Sequence, residues 1–251
     1  TPNESSAASD VYKRQDYVYP RTTNKILNQY LIDKGIPESD IFVNYTPFGH
    51  SDRSKIVADV VALGADGKKV GVISTINGDA NIGFYKELAA AGVNAEDIPV
   101  VAFSVGEEEL SGLDTKNLVG HLAAWNYFQS AESDLNTAFI KNWKSTMGSE
   151  RVTNDPMEAH VIGVNMYVKA VEKAGTTDVD AVREAMYGIT VPNLTGGTAE
   201  MLPNHHLSKP VLIGEILEDG QFDIISQTTE VPGDAWTDHL VESAVLTSDW
   251  Q

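Results

Sequence analysis

Short apolar runs alternate with amphipathic stretches along the first half of the chain. The run KVGVIST at residues 69–75 predicts a buried strand, and helical spacing of apolar positions predicts a helix over residues 80–91 that Gly92 ends. The same alternation predicts strands over residues 41–46, 98–104 and 120–127, and helices over residues 22–34, 52–63 and 107–110. Strands that alternate with helices require right-handed crossovers and a parallel sheet. The pattern therefore predicts the α/β class.

The pattern changes after Phe128, where three helical segments follow one another with no strand between them. They are predicted over residues 134–147, 156–174 and 178–187. Two strands are then predicted over residues 210–217 and 221–228, joined by a Glu-Asp-Gly turn that is typical of a hairpin. Because helices without a sheet must cover some other apolar surface, we expect them to pack on a sheet encoded upstream.

Composition and charge exclude several classes of function. The net charge of −18 disfavours nucleic acid, an anionic membrane surface and anionic substrates. The absence of cysteine excludes thiol nucleophiles, thiolate metal sites and disulfides. No apolar run reaches the length of a membrane span, and no signal peptide stands at the start. The opening TPNESSAASDVYKRQ is polar and aperiodic, so we expect a disordered or foreign lead-in there.

Few residues suggest chemistry on a substrate. His205 and His206 are adjacent and diverge on either a strand or a helix, and the other histidines lack ligand spacing, so no metal site is predicted. Three glutamates from Glu107 suit the first turn of a helix through its dipole, although Glu107 itself follows a strand and remains within reach of a ligand. No phosphate loop, nucleophile elbow or HExxH motif occurs, so we predict no enzyme activity.

The loops after predicted strands are the candidate binding positions, because ligands of open parallel sheets bind at the carboxyl ends of strands. These are the loops after Thr75, Ser104 and Trp125. Tyr17 and Tyr19 precede the first predicted helix, where they can line a cleft or pack in a core, and the residues alone leave both interpretations open.

Long blocks of this sequence resemble the urea-binding proteins of ABC transporters and, more loosely, short-chain amide-binding proteins and amide sensors. The resemblance runs from about Asp16 to Trp236. The blocks are DYVYPRTTNKI, STINGDANIGFYKEL, VAFSVGEEEL, GHLAAWNYFQS, NDPMEAHVIGV, PNHHLSKPVLIGEI and DGQFDII.

The resemblance implies a type I periplasmic-binding fold of two α/β lobes that close on a ligand. On that comparison residues 1–15 are a lead-in and residues 16–128 form the second lobe without its first strand. Residues 129–230 carry helices and a C-terminal hairpin or crossover of the first lobe, whose sheet is largely missing, and residues 231–251 form a tail. The crossovers near residues 120–130 and after Thr228 are the expected hinge strands.

The implied function is that of a periplasmic or extracytoplasmic solute-binding component, which binds urea in an interlobe cleft and docks on ABC permease subunits in the membrane. The resemblance implies no cofactor, no metal, no catalysis and no membrane insertion by this fragment. Alternatives are a receptor or sensor for a short-chain amide or a branched-chain amino acid, a cytoplasmic ligand-responsive regulator and, remotely, an amide hydrolase.

The resemblance also carries over a set of ligand-binding positions. Carboxylate oxygens of Asp79 or Glu107 are expected to accept from the N–H groups of urea, while tyrosine hydroxyls donate to its carbonyl. The positions are Tyr17, Tyr19, Asn77, Gly78, Asp79, Ser104, Gly106 and Glu107.

Overall fold

The computed structural model describes residues 7–11, 18–47, 53–65 and 69–245 of the chain. The chain divides into two compact units. The first unit comprises Thr1–Phe103 and Asp234–Gln251, and the second comprises Ser104–Gly233. In the described part of the chain, no helix combines the length and the apolar character that crossing a membrane requires.

The first unit alternates strands and helices as the sequence predicts. Its elements are β1 (Ala7–Val11), α1 (Val18–Asp33), β2 (Val43–Pro47), α2 (Ser54–Gly64), β3 (Val72–Ser74), α3 (Ala80–Ala90) and β4 (Val100–Ala102). Short 3₁₀ segments lie at Glu38–Asp40 and Asp238–Val245. The strands lie in the order β4-β3-β1-β2, and each neighbouring pair is parallel. The predicted α/β class is confirmed.

Strand β1 lies within the stretch that the sequence predicts to be a disordered lead-in. Ala7 pairs with Val43 of β2 on one side and with Ile73 of β3 on the other. Ladder hydrogen bonds join backbone groups, so a polar sequence without periodicity does not exclude a strand between two others. The expectation of disorder is therefore wrong for Ala7–Val11, which form a strand. The sheet of the first unit also has a strand before α1, where the sequence predicts that the first strand is absent.

Helix α3 supplies much of the apolar core of the first unit. Phe84 and Leu88 are completely buried one turn apart on this helix, and Val72 and Val100 are buried on β3 and β4. Residues four apart share a helix face, so this face covers the sheet. The packing fixes the start of α3 beside the carboxyl end of β3.

The second unit contains three longer helices and two groups of strands. Its elements are α4 (Glu107–Leu110), β5 (Leu122–Trp125), α5 (Asp134–Met147), α6 (Asp155–Ala174), α7 (Val179–Met186), β6 (Thr190–Pro192), β7 (Thr198–Met201), β8 (Leu207–Ser208), β9 (Leu212–Ile216) and β10 (Phe222–Gln227). A 3₁₀ segment lies at Thr115–Asn117. The predicted hairpin is confirmed, since β9 and β10 pair antiparallel, and β9 also pairs antiparallel with β5.

Gly214 on β9 allows two aromatic rings to stack beside the strand. Phe128 and Phe222 stack with ring centroids 4.3 Å apart. A Cβ atom at Gly214 would lie 2.9 Å from the Phe222 ring and 3.0 Å from the Phe128 ring. The missing side chain therefore lets the rings cover the strand and seal this part of the unit.

Helices α6 and α7 pack on a small sheet of their own unit, and their packing on a sheet encoded upstream stays a prediction. Strands β6, β7 and β8 form a three-stranded antiparallel sheet that the sequence pattern did not predict. Ile162 and Met166 of α6 and Val182 of α7 form a buried cluster with Val191 and Ala199 of this sheet. Strands of two to four residues are too short to show an alternating pattern, which is why the sequence did not reveal them.

A buried ion pair ties the segment before β9 to α6. The Lys209 ammonium donates to Glu158 Oε2, and the Leu194 N–H donates to Glu158 Oε1 over 3.4 Å. Glu158 is completely buried, and burial raises its pKa while Lys209 lowers it. Removal of either partner would leave a charge without compensation in the core.

Candidate functional site

Glu107 is the buried one of the two acidic residues in the predicted site, since Asp79 is exposed. It opens α4 directly after β4 and is 1% exposed. Its Oε1 accepts a hydrogen bond from the Gln129 backbone N–H over 2.6 Å. Its Oε2 is buried and has no hydrogen-bond partner among the residues that the structure describes. A buried polar atom without a partner is rare in proteins, so this oxygen is a candidate contact for a ligand or a water molecule.

Burial changes the protonation of Glu107. Desolvation raises the pKa of its carboxyl group to about 8, against the smaller opposing effect of neighbouring backbone N–H groups. At pH 7 this raised pKa favours the neutral carboxylic acid over the carboxylate. Since Oε1 accepts from Gln129, the proton belongs on Oε2, which makes Oε2 a donor. The sequence suggested an acceptor at this position, whereas burial favours a donor, and the role of Glu107 toward a ligand stays a prediction.

Glu107 lines a cavity of about 360 Å³ within the second unit. That volume lies at the low end of the roughly 300–1,000 Å³ found for small-molecule sites. The walls come from α4, the 3₁₀ segment at Thr115–Asn117, the β9–β10 turn and Val152. The Thr115 hydroxyl donates to the Glu218 carbonyl and so joins two of these walls. The ionisable lining residues are Glu107, Asp114, Lys116, Glu218 and Asp219.

Gln129 connects three walls of this cavity. Its backbone N–H binds Glu107, its Nε2 donates to Gln221 Oε1 over 2.9 Å, and its Oε1 accepts from the Thr153 N–H over 2.9 Å. Gln221 lines the cavity, and so does Val152 beside Thr153. Gln129 lies in the loop after Trp125, which the sequence marks as a candidate binding loop, but no local pattern singles out this residue because its partners lie far from it along the chain.

A second layer of hydrogen bonds holds Gln129 in place. Asn136 Nδ2 donates to the Gln129 carbonyl over 2.9 Å and to the Ala131 carbonyl. The Tyr127 hydroxyl donates to Asn136 Oδ1 over 2.7 Å and lies 2.7 Å from Thr153 Oγ1. These groups are buried, so their hydrogen bonds hold the Gln129 carbonyl and the Asn136 side chain in place.

The residues around Glu107 have structural contacts of their own. Glu109 Oε2 accepts from the Gly106 N–H over 2.9 Å, which is the helix-start role that the sequence favours for the acidic triplet. A Cβ atom at Gly106 would lie 3.3 Å from the Trp125 ring, so the glycine allows this ring to approach. Ser104 precedes them after β4 and is half-buried.

Asn77, Gly78 and Asp79 form the turn between β3 and α3 in the first unit, at the carboxyl end of a parallel strand as predicted. Gly78 has φ +60, which favours glycine there. Asn77 is half-buried, while Gly78 and Asp79 are exposed. The Asp79 side chain does not cap α3, so its carboxylate is not committed to the helix.

Tyr19 lies in the first turn of α1 and is half-buried. The sequence placed it before the helix, but α1 begins at Val18 because Pro20 is compatible with a first helical turn. Tyr17 lies outside the described residues. Whether Tyr19 lines a cleft stays a prediction.

Comparison with known proteins agrees with this architecture. The family described as the periplasmic binding protein domain matches residues 11–242. An ABC transporter solute-binding protein from Rhodopseudomonas palustris HaA2, solved with p-hydroxybenzoic acid, superposes with a TM-score of 0.72 at 19% identity. That match covers 89% of this chain and 60% of the other. An amino acid ABC transporter substrate-binding protein from Pseudomonas fluorescens Pf-5 superposes with a TM-score of 0.71 at 18% identity. That match covers 94% of this chain and 61% of the other.

A curated protein named limonene hydroxylase, from Geobacillus stearothermophilus, is 30% identical over 141 residues. The match covers 55% of this chain and 26% of that protein. The chain thus spans about 60% of the solved relatives and about a quarter of the curated one. The solved relatives show the fold, and the family match extends over most of the chain. The chain belongs to the periplasmic binding protein family.

Proposed function

We propose that this chain belongs to the solute-binding component of an ABC uptake system and that its ligand is urea. The two solved relatives are a solute-binding protein and a substrate-binding protein of ABC transporters, which supports the transport role. The resemblance of the sequence blocks to urea-binding proteins supports the ligand. A periplasmic or extracytoplasmic location and docking on permease subunits follow from the same proposal.

The observation that carries the proposal is that Glu107 lines a small polar cavity while its buried Oε2 has no hydrogen-bond partner among the described residues. The O–H of a neutral carboxyl group at this position donates a hydrogen bond to a carbonyl oxygen of the ligand. Urea presents one carbonyl that accepts such a bond and no charge that would need compensation. A ligand of this kind satisfies a buried group that otherwise costs roughly 1–3 kcal/mol.

The charges around the cavity favour a neutral or cationic ligand over an anionic one. With Glu107 in its neutral form, three of the ionisable lining residues are acidic, namely Asp114, Glu218 and Asp219, and one is a lysine. A carboxylate ligand, such as the hydroxybenzoate bound by the Rhodopseudomonas relative, would meet repulsion there. The same charges agree with the net charge of −18 for the whole chain.

The remaining proposed contacts are those carried over with the resemblance. Asp79 is proposed to accept from urea N–H groups, and Tyr17 and Tyr19 to donate hydroxyl groups and exclude water. Asp79→Asn and Tyr17→Phe are each expected to weaken urea binding in calorimetric titration. Unchanged affinity in both variants would contradict these assignments.

The pH dependence of binding tests the donor role of Glu107. Because burial raises the pKa of Glu107 to about 8, urea affinity is expected to fall above pH 8, by about tenfold per pH unit at most. Glu107→Gln keeps a donor at the same position, so its affinity is expected to be independent of pH between 6.5 and 9.5. Urea affinity that rises with pH in the wild-type protein would contradict the donor role.

The alternatives predict different results in the same assay. A branched-chain amino acid carries an ammonium group that prefers the ionised form of Glu107, so leucine binding would strengthen as the pH rises and would be lost in Glu107→Gln. An amide hydrolase would release ammonia from urea or acetamide. We expect no ammonia release.

A further inference from the structure

The cavity beside Glu107 depends on one residue that lies outside its predicted binding positions. Gln129 is 8% exposed, and its backbone N–H, its Nε2 and its Oε1 make one contact each toward the cavity walls. Each of the three contacts ends on a different wall of the cavity: the start of α4, the residue before β10 and the segment after α5. In this part of the structure the side chain and the backbone N–H of Gln129 together connect the three walls.

We propose that Gln129 is a positioning residue that sets the shape of the cavity and the orientation of Glu107. Through its backbone N–H it engages Oε1 and so leaves Oε2 as the oxygen of Glu107 that can bind a ligand. Through its side chain it fixes Gln221 on the opposite wall. This inference deepens the proposed function, on which it depends only for the identity of the ligand.

The geometry leaves Gln129 little freedom to change partners. Its carbonyl accepts from Asn136, its Oε1 accepts from the Thr153 N–H, and its Nε2 donates to Gln221. A rotation of the side chain would break two bonds in a buried region. Loss of these bonds releases the Gln129 side chain from Thr153 and Gln221, and we expect the Gln129 backbone and the Glu107 carboxyl group to shift as a result.

A near-isosteric substitution separates hydrogen bonding from packing. Gln129→Met keeps the length and volume of the side chain and removes its donor and acceptor. We expect the variant to fold, to bind urea about tenfold more weakly, and to lose the slow hydrogen exchange of the Thr153 amide. Gln227→Met, at an exposed glutamine on β10, serves as the matched control and is expected to change neither quantity.

The two readouts distinguish failure of this inference from failure of the proposed function. If wild-type protein does not bind urea, the proposed ligand is wrong, while exchange of the Thr153 amide still tests the role of Gln129. Wild-type urea affinity and a protected Thr153 amide in Gln129→Met would overturn the inference.

A second variant applies if Gln129→Met does not fold. Gln221→Met breaks only one of the three contacts, and no hydrogen bond joins Gln221 to Glu107 directly. If Gln129 couples the walls, the ¹³C resonance of the Glu107 carboxyl group is expected to shift in this variant. An unchanged resonance would overturn the inference.

Discussion

Replacement of Glu107 by glutamine is expected to stabilise the protein at neutral pH. The wild-type carboxyl group has a pKa of about 8 in the folded chain because of burial, against an ordinary value of 4.5. A folded-state pKa above the unfolded value contributes stability that is complete below pH 4.5 and is lost as the pH rises to 8. Glutamine has the same shape, accepts from Gln129 in the same way and does not ionise.

The magnitude follows from the linkage between proton binding and unfolding. Each pH unit between the two pKa values lowers the free energy of unfolding by about 1.4 kcal/mol, so the wild-type protein loses about 3 kcal/mol between pH 4.5 and pH 7. Glu107→Gln removes this loss. The variant is therefore expected to match the wild type near pH 4.5 and to exceed it by up to about 3 kcal/mol at pH 7.

Guanidinium chloride unfolding, followed by tryptophan fluorescence at pH 4.5, 5.5, 7 and 8, measures this difference. Guanidinium is preferred to urea because urea is the proposed ligand. Glu108→Gln is the matched control, since Glu108 is half-exposed and its Oε1 lies 3.6 Å from Arg151, so it should change stability by about 1 kcal/mol or less. Parallel stability curves for Glu107→Gln and the wild type across this pH range would refute the reasoning.

Further substitutions test the packing of the chain by the same unfolding measurement. Lys209→Met is expected to lower the free energy of unfolding by about 3–5 kcal/mol, because it leaves the buried Glu158 without its partner. Lys55→Met, at the exposed pair with Asp59, is the control and should lower it by under about 1 kcal/mol. Equal effects would contradict a compensated buried charge. Gly214→Ala is expected to cost about 1–3 kcal/mol through contact with two aromatic rings. Gly163→Ala, on an exposed face of α6 with open space at the Cβ position, should instead stabilise by about 0.5–1 kcal/mol, and a loss there would refute this estimate.

The sequence predicts elements well where local signals mark their ends. Helix α5 spans Asp134–Met147 as predicted, because the Ser133 hydroxyl accepts from the Asn136 N–H at its start and Gly148 follows its last residue. Helix α4 spans Glu107–Leu110 as predicted, with its acidic first turn. These signals lie within a few residues of the helix ends that they mark, so the sequence alone is enough to identify them.

The candidate site is predicted less completely because its connections are not local. Glu107 is identified from its place after a strand, but its burial and its neutral state depend on the folded surroundings. Gln129 contacts residues that lie 22, 24 and 92 positions away in sequence, and no periodicity or turn signal marks such a residue. Strand β1 was missed for a similar reason, because pairing with β2 and β3 requires only backbone groups.

Calorimetric titration of urea into the full-length protein at pH 7, with acetamide and leucine as comparison ligands, tests the central proposal most directly. We expect saturable binding of urea at one site, weaker binding of acetamide, and no ammonia in the sample afterwards. Binding of leucine without urea would keep the periplasmic-binding fold and contradict the proposed ligand. Release of ammonia would contradict the binding role itself.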